Sequence, residues 1–278
     1  MIDLHLHSTA SDGTDSPAQI VAMAAALGLR AIALTDHDTA DGLAEALAAG
    51  KQHDLPVIPG IEFTSSFDGT EVHLLGYGFD PASPALTDAL AFSVQFRARR
   101  NRQVVQMLQN AGFAITLEAL EAKNPGAIIG RPHIANVLVE LGAAESVKDA
   151  FDRYLGEGKP FWLPREYIPM EQAACSVADA GGVAVLAHPL QYEFSPEKLR
   201  QLVEYARSVG VRGMEVYYTG YTTAQREALM ALADEYHLFP TGGSDYHGRN
   251  KPDISMGTGR GELLVPDSLL DELLASIQ

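Results

Sequence analysis

Histidines and carboxylates recur at the ends of short β-branched segments along this chain. Six of the nine histidines stand at such ends, and acidic residues accompany them. The residues concerned are His5, His7, Asp36, His37, Glu62, His73, His188, Asp245 and His247. Imidazole and carboxylate groups without a thiolate suit Mn²⁺, Fe²⁺ or Zn²⁺. The pattern therefore predicts a metal site assembled from several strand ends.

In two pairs of residues from this set, the two members have a single residue between them. Side chains two residues apart on a strand point to the same side, so His5 is expected to aim with His7. The same spacing joins Asp245 to His247. Each of these two strands is therefore expected to deliver two side chains to one place.

Some residues near these segments are expected to have other roles. Asp36 directly precedes His37 and should point away from it, as a residue that supports the site or the fold. His53 in "KQHDLP" and His237 in "DEYHLFP" stand apart from the pattern, and we interpret them as ordinary structural or surface histidines.

Seven segments have the composition of strands, and amphipathic helices separate most of them. The predicted strands are residues 2–7, 30–38, 55–63, 72–78, 182–189, 213–218 and 238–247. Ser16 and Ser195, each followed by Pro, are predicted helix N-caps. Strand–helix alternation predicts an α/β fold with a parallel sheet, and seven units predict a closed TIM-like barrel. In such a barrel the carboxyl ends of the strands share the face that holds the active site.

The alternation stops between about residues 85 and 165. That stretch has helical patterning and no convincing strand, which predicts a small helical insertion between two barrel strands. The predicted division of the chain is 1–84 for the first part of the barrel, 85–165 for the insertion and 166–278 for the second part.

Composition narrows the class of protein. The formal net charge of −16, from 20 basic and 36 acidic residues, disfavours stable binding to duplex nucleic acid. No apolar run reaches the roughly 18 residues of a membrane helix, and the strand-like start leaves no room for a signal peptide. Cys175 is the only cysteine, which excludes disulfides within the chain and fits the cytoplasm. Its helical context predicts a buried, inert thiol.

The motifs resemble those of a known family. "DLHLHSTASDGTDSP", "ALTDHDT", "PGIEFT", "HLLGYG", "LAHP" and "GGSDYH" are similar, in order, to the motifs of the PHP (polymerase and histidinol phosphatase) superfamily. The resemblance covers the chain except the insertion. It implies a distorted (β/α)7 barrel with a trinuclear metal centre. The implied ligands are His5, His7, Asp12, His37, Glu62, His73, His188, Asp245 and His247.

The same resemblance divides these ligands among three ions. The first ion is held by His5, His7, Glu62 and Asp245. Glu62 bridges to a second ion, which is held with His73 and His188. The third ion is held by Asp12, His37 and His247. A metal-bound hydroxide, held by Glu62, His7, His188 and His247, is the implied nucleophile.

Three divalent ions and three carboxylates give a centre with a charge of about +3, which attracts a phosphate despite the acidic surface. Manganese is the expected metal, with iron or zinc as alternatives. Metal ions lower the pKa of bound water and neutralise phosphoryl oxygens, so phosphate ester hydrolysis is the expected chemistry.

The insertion carries a cluster of basic residues in an otherwise acidic chain. Four arginines stand within six residues, at positions 97, 99, 100 and 102. At about 100° per residue, Arg97 and Arg100 share one side of a helix, and Arg99 and Arg102 share another. One pair is therefore expected to face solvent, and the spacing alone does not say which.

Two further elements of the insertion could bind an anion. "GRPHIANVLVELG" places Arg131 and His133 at a helix start, although His133 could serve only the helix start itself. Lys159 in "EGKPFW" is a weaker candidate. These features resemble a branch of stand-alone nucleotide phosphatases and 5′-end exoribonucleases, in which "R-x-x-R", "R-x-H" and "GK" elements recur. The matching positions are Arg97, Arg100, Arg131, His133, Gly158 and Lys159.

The resemblance implies removal of the 3′-phosphate from 3′,5′-bisphosphonucleotides such as pAp, and also trimming of short 5′-phosphorylated RNA. The arginines would hold the 5′-phosphate while metal ions hydrolyse the ester. Histidinol-phosphate phosphatase is the leading alternative, because it uses the same metal scaffold. A non-catalytic metal-binding scaffold is the alternative from another class, although no ligand position is lost here.

Overall fold

Seven strands follow one another around a single curved sheet in chain order. The computed structural model describes residues 1–126, 129–164 and 166–277. The strands are β1 Asp3–Leu6, β2 Ile32–Leu34, β3 Val57–Phe67, β4 Thr70–Tyr77, β5 Val183–Leu186, β6 Gly213–Tyr218 and β7 Phe239–Gly243. Each strand overlaps one of the seven predicted segments.

The sheet closes into a barrel because β7 lies beside β1. The Asp245 N–H donates to the His5 carbonyl at 2.9 Å, and the His7 N–H donates to the Tyr246 carbonyl at 3.0 Å. One apolar cluster fills the interior, where strand residues such as Leu4 meet the C-terminal helix. A second cluster lies between the strands and the outer helices. The predicted α/β, TIM-like barrel is confirmed.

The helices of the described residues either flank the barrel or form the segment between β4 and β5. They are α1 Pro17–Ala26, α2 Leu43–His53, α3 Pro84–Asn110, α4 Leu117–Lys123, α5 Arg131–Glu140, α6 Val147–Ala150, α7 Met170–Asp179, α8 Pro196–Ser208, α9 Thr223–Glu235 and α10 Ser268–Ser276. A π-helical turn, Phe151–Leu155, follows α6. None of these helices is both long enough and apolar enough to cross a bilayer.

The prediction of an entirely parallel sheet was wrong at one strand. β4 runs antiparallel to both of its neighbours, β3 and β5. A two-residue turn joins β3 to β4, and its residues Asp68 and Gly69 both have positive φ, at 49° and 78°. Asp-Gly is a preferred pair for such a turn, because glycine adopts this conformation without a steric penalty. No helix fits between these strands, so the chain reverses directly.

The two predicted helix N-caps are confirmed, but the predicted burial of Cys175 was wrong. The Ser16 side chain accepts a hydrogen bond from the Gln19 N–H at the start of α1. The Ser195 side chain accepts one from the Lys198 N–H at the start of α8. Cys175, in contrast, is exposed on α7 and is not the buried thiol that was predicted. The apolar face of α7 is formed by its neighbours, and Cys175 lies on the opposite side.

The helix α3 belongs to two separate cores. Near its start, Leu86 and Ala89 pack in the cluster between the barrel and its helices. Near its end, Val104 and Leu108 pack in a third cluster, formed by α3–α6 and the segments around them. Its 27 residues span roughly 40 Å. The middle of α3 therefore lies where the helical segment meets the barrel.

Candidate metal centre

Glu62, on β3, stands at the centre of a ring of imidazoles. Five histidine nitrogens lie 2.8–3.2 Å from its two carboxylate oxygens. These nitrogens belong to His5, His7, His37, His73 and His188. Glu62 is 1% exposed, so its charge depends on these neighbours for compensation. The arrangement brings side chains from β1, β3 and β4 and from the segments after β2 and β5 to one point.

The antiparallel direction of β4 explains how His73 reaches this point. His73 lies near the start of its strand, whereas the other histidines lie at or beyond the ends of theirs. Because β4 is reversed, its start lies at the same face of the barrel as the ends of the parallel strands. In the pairing of β3 with β4, His73 is opposite Thr64, two residues beyond Glu62.

The ligand-type atoms form three groups, and within each group all of them lie within 4.8 Å of one another. One group is His5, His7, Glu62 and Asp245. Another is His37, Glu62 and His73. The last is His7, Asp12, His37 and His247. These groups contain every member of the first and third predicted sets. In the second set His37 stands in place of His188, although His188 Nε2 lies 2.9 Å from Glu62 Oε1.

The donor set fits divalent metal ions. His5 Nε2 and His7 Nε2 lie 3.1 Å apart, both directed at Glu62 and Asp245. Two nitrogens at that distance match the spacing of ligands that share one cation at about 2.0–2.1 Å from each. His7 Nδ1 is buried and has no hydrogen-bond partner within the described part of the chain. Buried nitrogens of this kind are suitable metal ligands.

The carboxylates of the cluster are ionised. Burial alone would raise the pKa of Glu62, but the surrounding imidazoles, His37 first among them, hold it well below its usual range. Burial is likewise outweighed at Asp245, whose pKa is held well below the ordinary value chiefly by Lys251. The Lys251 ammonium donates to Asp245 Oδ2 at 2.6 Å. Burial is also outweighed at Asp12, where the neighbouring imidazoles, His247 first among them, hold the pKa well below its ordinary value. All three groups can therefore serve as anionic ligands at neutral pH.

The imidazoles differ from one another. Burial opposes protonation of His7, yet hydrogen bonds to Asp245 and Glu62 raise its pKa to about 9. Burial is also outweighed at His73, where the charge of Glu62 raises the pKa to about 9. For His37, burial dominates and lowers the pKa to about 3. In the absence of metal, His7 and His73 therefore carry protons that compensate the carboxylates, whereas His37 is neutral.

Asp36 supports the site from behind, as predicted. It is buried, and its carboxylate accepts from the Ser8 N–H and the Ser8 hydroxyl, both at 2.7 Å. It also accepts from the Ser11 hydroxyl at 2.6 Å. These bonds fix the loop after β1, which carries Asp12. Asp36 thus positions a proposed ligand without being one.

The sequence interpretation missed Glu215, on β6. This carboxylate is fully buried, with Oε1 3.1 Å from His5 Nδ1, and Oε2 accepts from the His188 N–H at 2.8 Å. A carboxylate on the outer nitrogen of a metal-binding imidazole fixes its tautomer and ring orientation. The available signal was a single charged residue inside the apolar segment "GMEVYY", where burial requires a partner.

Three of the predicted substrate residues line a small pocket directly above the cluster. The pocket, of about 100 Å³, is bounded by Asp12, His37, Glu71, His73, Arg97, Arg100, Arg131, Pro132 and Phe151. Arg97 and Arg100, in the middle of α3, are 9% and 6% exposed. Arg99 and Arg102, on the other side of α3, are exposed to solvent. The predicted separation of the two arginine pairs is therefore observed, and the first pair faces the cluster.

His133 and Lys159 are not among the residues that line this pocket. His133 Nδ1 accepts the Gly130 N–H at 2.9 Å, so the ring satisfies the first turn of α5 and borders a neighbouring cavity. This is the helix-start role that was the alternative for His133. Lys159 lies exposed in a turn. His133 nevertheless lies near the site, because burial lowers its pKa and the charges of Asp12 and Arg97 both act on it.

Two carboxylates hold the arginines in place. Asp38 accepts a hydrogen bond from Arg97 Nη2 and another from the Thr64 N–H, the latter at 2.9 Å. Glu71 Oε1 lies 3.2 Å from His73 Nε2, and its Oε2 lies 3.7 Å from Arg131 Nη2. Glu71 thereby connects a proposed metal ligand to a basic residue of the pocket.

Known proteins are similar to this chain in sequence along most of its length. Residues 3–158 match the PHP domain family. The chain is 36% identical over 245 residues to a 5′–3′ exoribonuclease from Haemophilus influenzae, covering 88% of this chain and 89% of that protein. It is 35% identical over 247 residues to a 3′,5′-nucleoside bisphosphate phosphatase from Chromobacterium violaceum, covering 88% of this chain and 87% of that protein.

A solved structure has the same fold. It belongs to a proposed metal-dependent phosphoesterase from Bifidobacterium adolescentis, with a TM-score of 0.87 and 34% identity, covering 99% of this chain and 95% of the other. The family match includes β1–β4 and α3–α5, which carry most of the cluster and all three arginines of the pocket. The chain therefore belongs to the PHP domain family, as a metal-dependent phosphoesterase of that family.

Proposed function

We propose that this enzyme removes the 3′-phosphate from 3′,5′-bisphosphonucleotides such as pAp. The observation that carries the proposal is the position of Arg97, Arg100 and Arg131 directly above the cluster of imidazoles and carboxylates. A substrate with two phosphates can place one at the metal ions and the other at the arginines. A substrate with one phosphate leaves one of these sites without its partner.

We assign the metal ions to nine residues. They are His5, His7, Asp12, His37, Glu62, His73, His188, Asp245 and His247. Bound divalent ions would supply Lewis acidity for the phosphoryl oxygens and lower the pKa of a water molecule. The protein fixes the ligands in advance, since Glu215 orients His5 and Asp36 fixes the loop of Asp12. Manganese and a count of three ions are part of this proposal.

The arginines would bind the 5′-phosphate. Buried guanidinium groups interact with phosphate more strongly than exposed ones, because water screens them less. Asp38 holds Arg97 in one orientation, and the half-buried Arg131 lies at the pocket edge. Phosphate would reach them without a large rearrangement of side chains. Selectivity for a second phosphate follows from these contacts.

Substrate comparison tests the proposal. Manganese-loaded protein is assayed for phosphate release from pAp, 3′-AMP and histidinol phosphate, and for shortening of a 5′-phosphorylated RNA of a few nucleotides. We expect pAp to exceed 3′-AMP by about 10²–10⁴ in kcat/KM, since two arginine–phosphate contacts contribute roughly 1.5–3 kcal/mol each. Equal rates on pAp and 3′-AMP would contradict the role of the arginines, and preference for histidinol phosphate would replace the proposal.

Stepwise trimming of short RNA is the second candidate. It is favoured by the exoribonuclease relative and by a wider groove that adjoins the pocket. The same assay decides between them, because an exoribonuclease releases nucleotides from the 5′ end of the RNA, whereas a phosphatase leaves the internal linkages of the RNA intact.

A further inference from the structure

A groove of about 650 Å³ opens beside the arginine pocket. Its walls are the insertion segment 162–164 with Glu157, the hairpin residues 69–71, Tyr167 and the turn at 191–193 after β5. Arg131 and Glu71 line both the groove and the pocket, so the two spaces are neighbours across these side chains. The volume lies within the range of roughly 300–1,000 Å³ that small-molecule sites occupy.

The wall of this groove contains Trp162, the only tryptophan of the chain. It is half-buried, and no ring of the described residues stacks on it. Its indole N–H donates no hydrogen bond within the described part of the chain. A large aromatic side chain that is neither buried in a core nor paired with another ring presents a face to the groove. Tyr192, across the groove, is instead fixed by its hydroxyl, which donates to the Ala187 carbonyl at 2.8 Å.

We infer that Trp162 is the stacking surface for the nucleobase of the substrate. This inference rests on the proposed function, because it takes the phosphates of the nucleotide to lie at the cluster and the arginines. With the 5′-phosphate at the arginines, the ribose would direct its base past Arg131 into the adjoining groove. Every base has a π-face, so stacking on an indole holds bases of any identity.

Polar groups at the groove edge can contact the rim of the base. Gln191, Glu193 and Glu157 are exposed and line the same space as Trp162. Their amide and carboxylate groups are hydrogen-bond partners for the amino and ring nitrogens of a purine or pyrimidine. The groove thus combines an aromatic wall with a polar rim, as sites for small organic ligands usually do.

The uniqueness of Trp162 provides a direct measurement. Intrinsic tryptophan fluorescence of the manganese-loaded wild-type protein is titrated with 5′-AMP and, separately, with ribose 5-phosphate. We expect 5′-AMP to change the emission in a saturable manner and ribose 5-phosphate to leave it unchanged. If 5′-AMP inhibits hydrolysis of pAp at concentrations that do not alter the emission, the inference is wrong.

A pair of variants gives the second measurement. Trp162→Ala should lower kcat/KM for pAp about 5- to 100-fold while sparing ribose 3,5-bisphosphate, which has no base. Trp162→Phe, which keeps an aromatic face, should retain most of the activity on pAp. Equal losses on both substrates, or no loss on either, would overturn the inference. The wild-type titration decides the question even if Trp162→Ala does not fold.

Failure of the inference and failure of the proposed function give different results. If wild-type protein releases no phosphate from either bisphosphate, the proposed function is wrong. If it hydrolyses both with the same kcat/KM, the two-phosphate site stands and the base site is wrong.

Discussion

At the scale of single residues, Glu62 concentrates more contacts than any other proposed ligand. Five imidazoles surround this one carboxylate, so all five histidines interact with the same negative charge. Glu62→Gln keeps the shape and removes the charge. We expect activity to fall by roughly 10²-fold or more, with a lower metal content. Phosphate release and elemental analysis measure the two effects. Glu227→Gln, at an exposed glutamate on α9, should change neither.

The protons on His7 and His73 give the site a defined pH dependence. The pKa of each ring is raised to about 9 without metal, so both carry protons at neutral pH. Metal ligation requires neutral nitrogen, so metal binding should release protons at about pH 7. At pH 9 about half of these two rings are already neutral, so the protons they release should fall by about half there and approach zero at higher pH. Calorimetric titration with Mn²⁺ in buffers of different ionisation enthalpy counts the protons, and a constant count would refute this assignment.

The arginines of α3 offer a matched comparison within one helix. Arg97→Ala or Arg100→Ala should lower kcat/KM for pAp by about 10- to 100-fold, because each removes a charge-assisted contact with phosphate. Activity on 3′-AMP should change little, since that substrate has no 5′-phosphate. Arg99→Ala, at an exposed arginine, is the control and should resemble wild type. Equal losses for the buried and exposed arginines would remove the argument for a phosphate site.

At the scale of the elements, close packing of β7 against β1 holds His5 in place. A Cβ at Gly243 would lie 2.4 Å from both the Cβ and the backbone nitrogen of His5, so Gly243→Ala must displace β1. We expect weaker metal binding and lower activity, measured by equilibrium dialysis and phosphate release. Gly210→Ala is the comparison, because its Cβ would meet no atom although its φ of +100° carries a strain cost. That variant should lose stability without losing metal.

The elements also show where the sequence was informative. The strands and the two arginine pairs of α3 follow from local periodicity, and the helix caps follow from the residues at the helix starts. These features could therefore be predicted. The direction of β4 depended on Asp68 and Gly69, whose turn chemistry indicates a hairpin and was overlooked. Glu215 could not be assigned from its segment, because its partners His5 and His188 are distant in sequence. The hydrogen bond between His133 and the Gly130 N–H depends on the geometry of the helix start, which the sequence does not give.

At the scale of the whole molecule, the metal centre joins all parts of the barrel. Proposed ligands come from β1, β3 and β4 and from the segments after β1, β2, β5 and β7, and β6 contributes Glu215. Ions that bind only the folded barrel stabilise it, by about 2.7 kcal/mol at 100 times Kd. Chelation by EDTA should therefore lower Tm by roughly 5–10 °C. Differential scanning fluorimetry measures the shift. Glu62→Gln protein should show a smaller one, and an unchanged wild-type Tm would contradict the arrangement.

The helix α3 packs in two separate cores, so the number of residues between them determines where its arginines lie. The start of α3 packs among the barrel helices, and its end packs in the core of the helical segment. Arg97 and Arg100 lie between these two ends. Deleting one residue between Ala89 and Arg97 would turn both guanidinium groups by about 100° and shift them by about 1.5 Å relative to the barrel. The third cluster and all nine proposed ligands would remain, yet the two arginines would no longer face the pocket above the metal cluster. The length of this span therefore matters to the pocket above the cluster as much as its composition does.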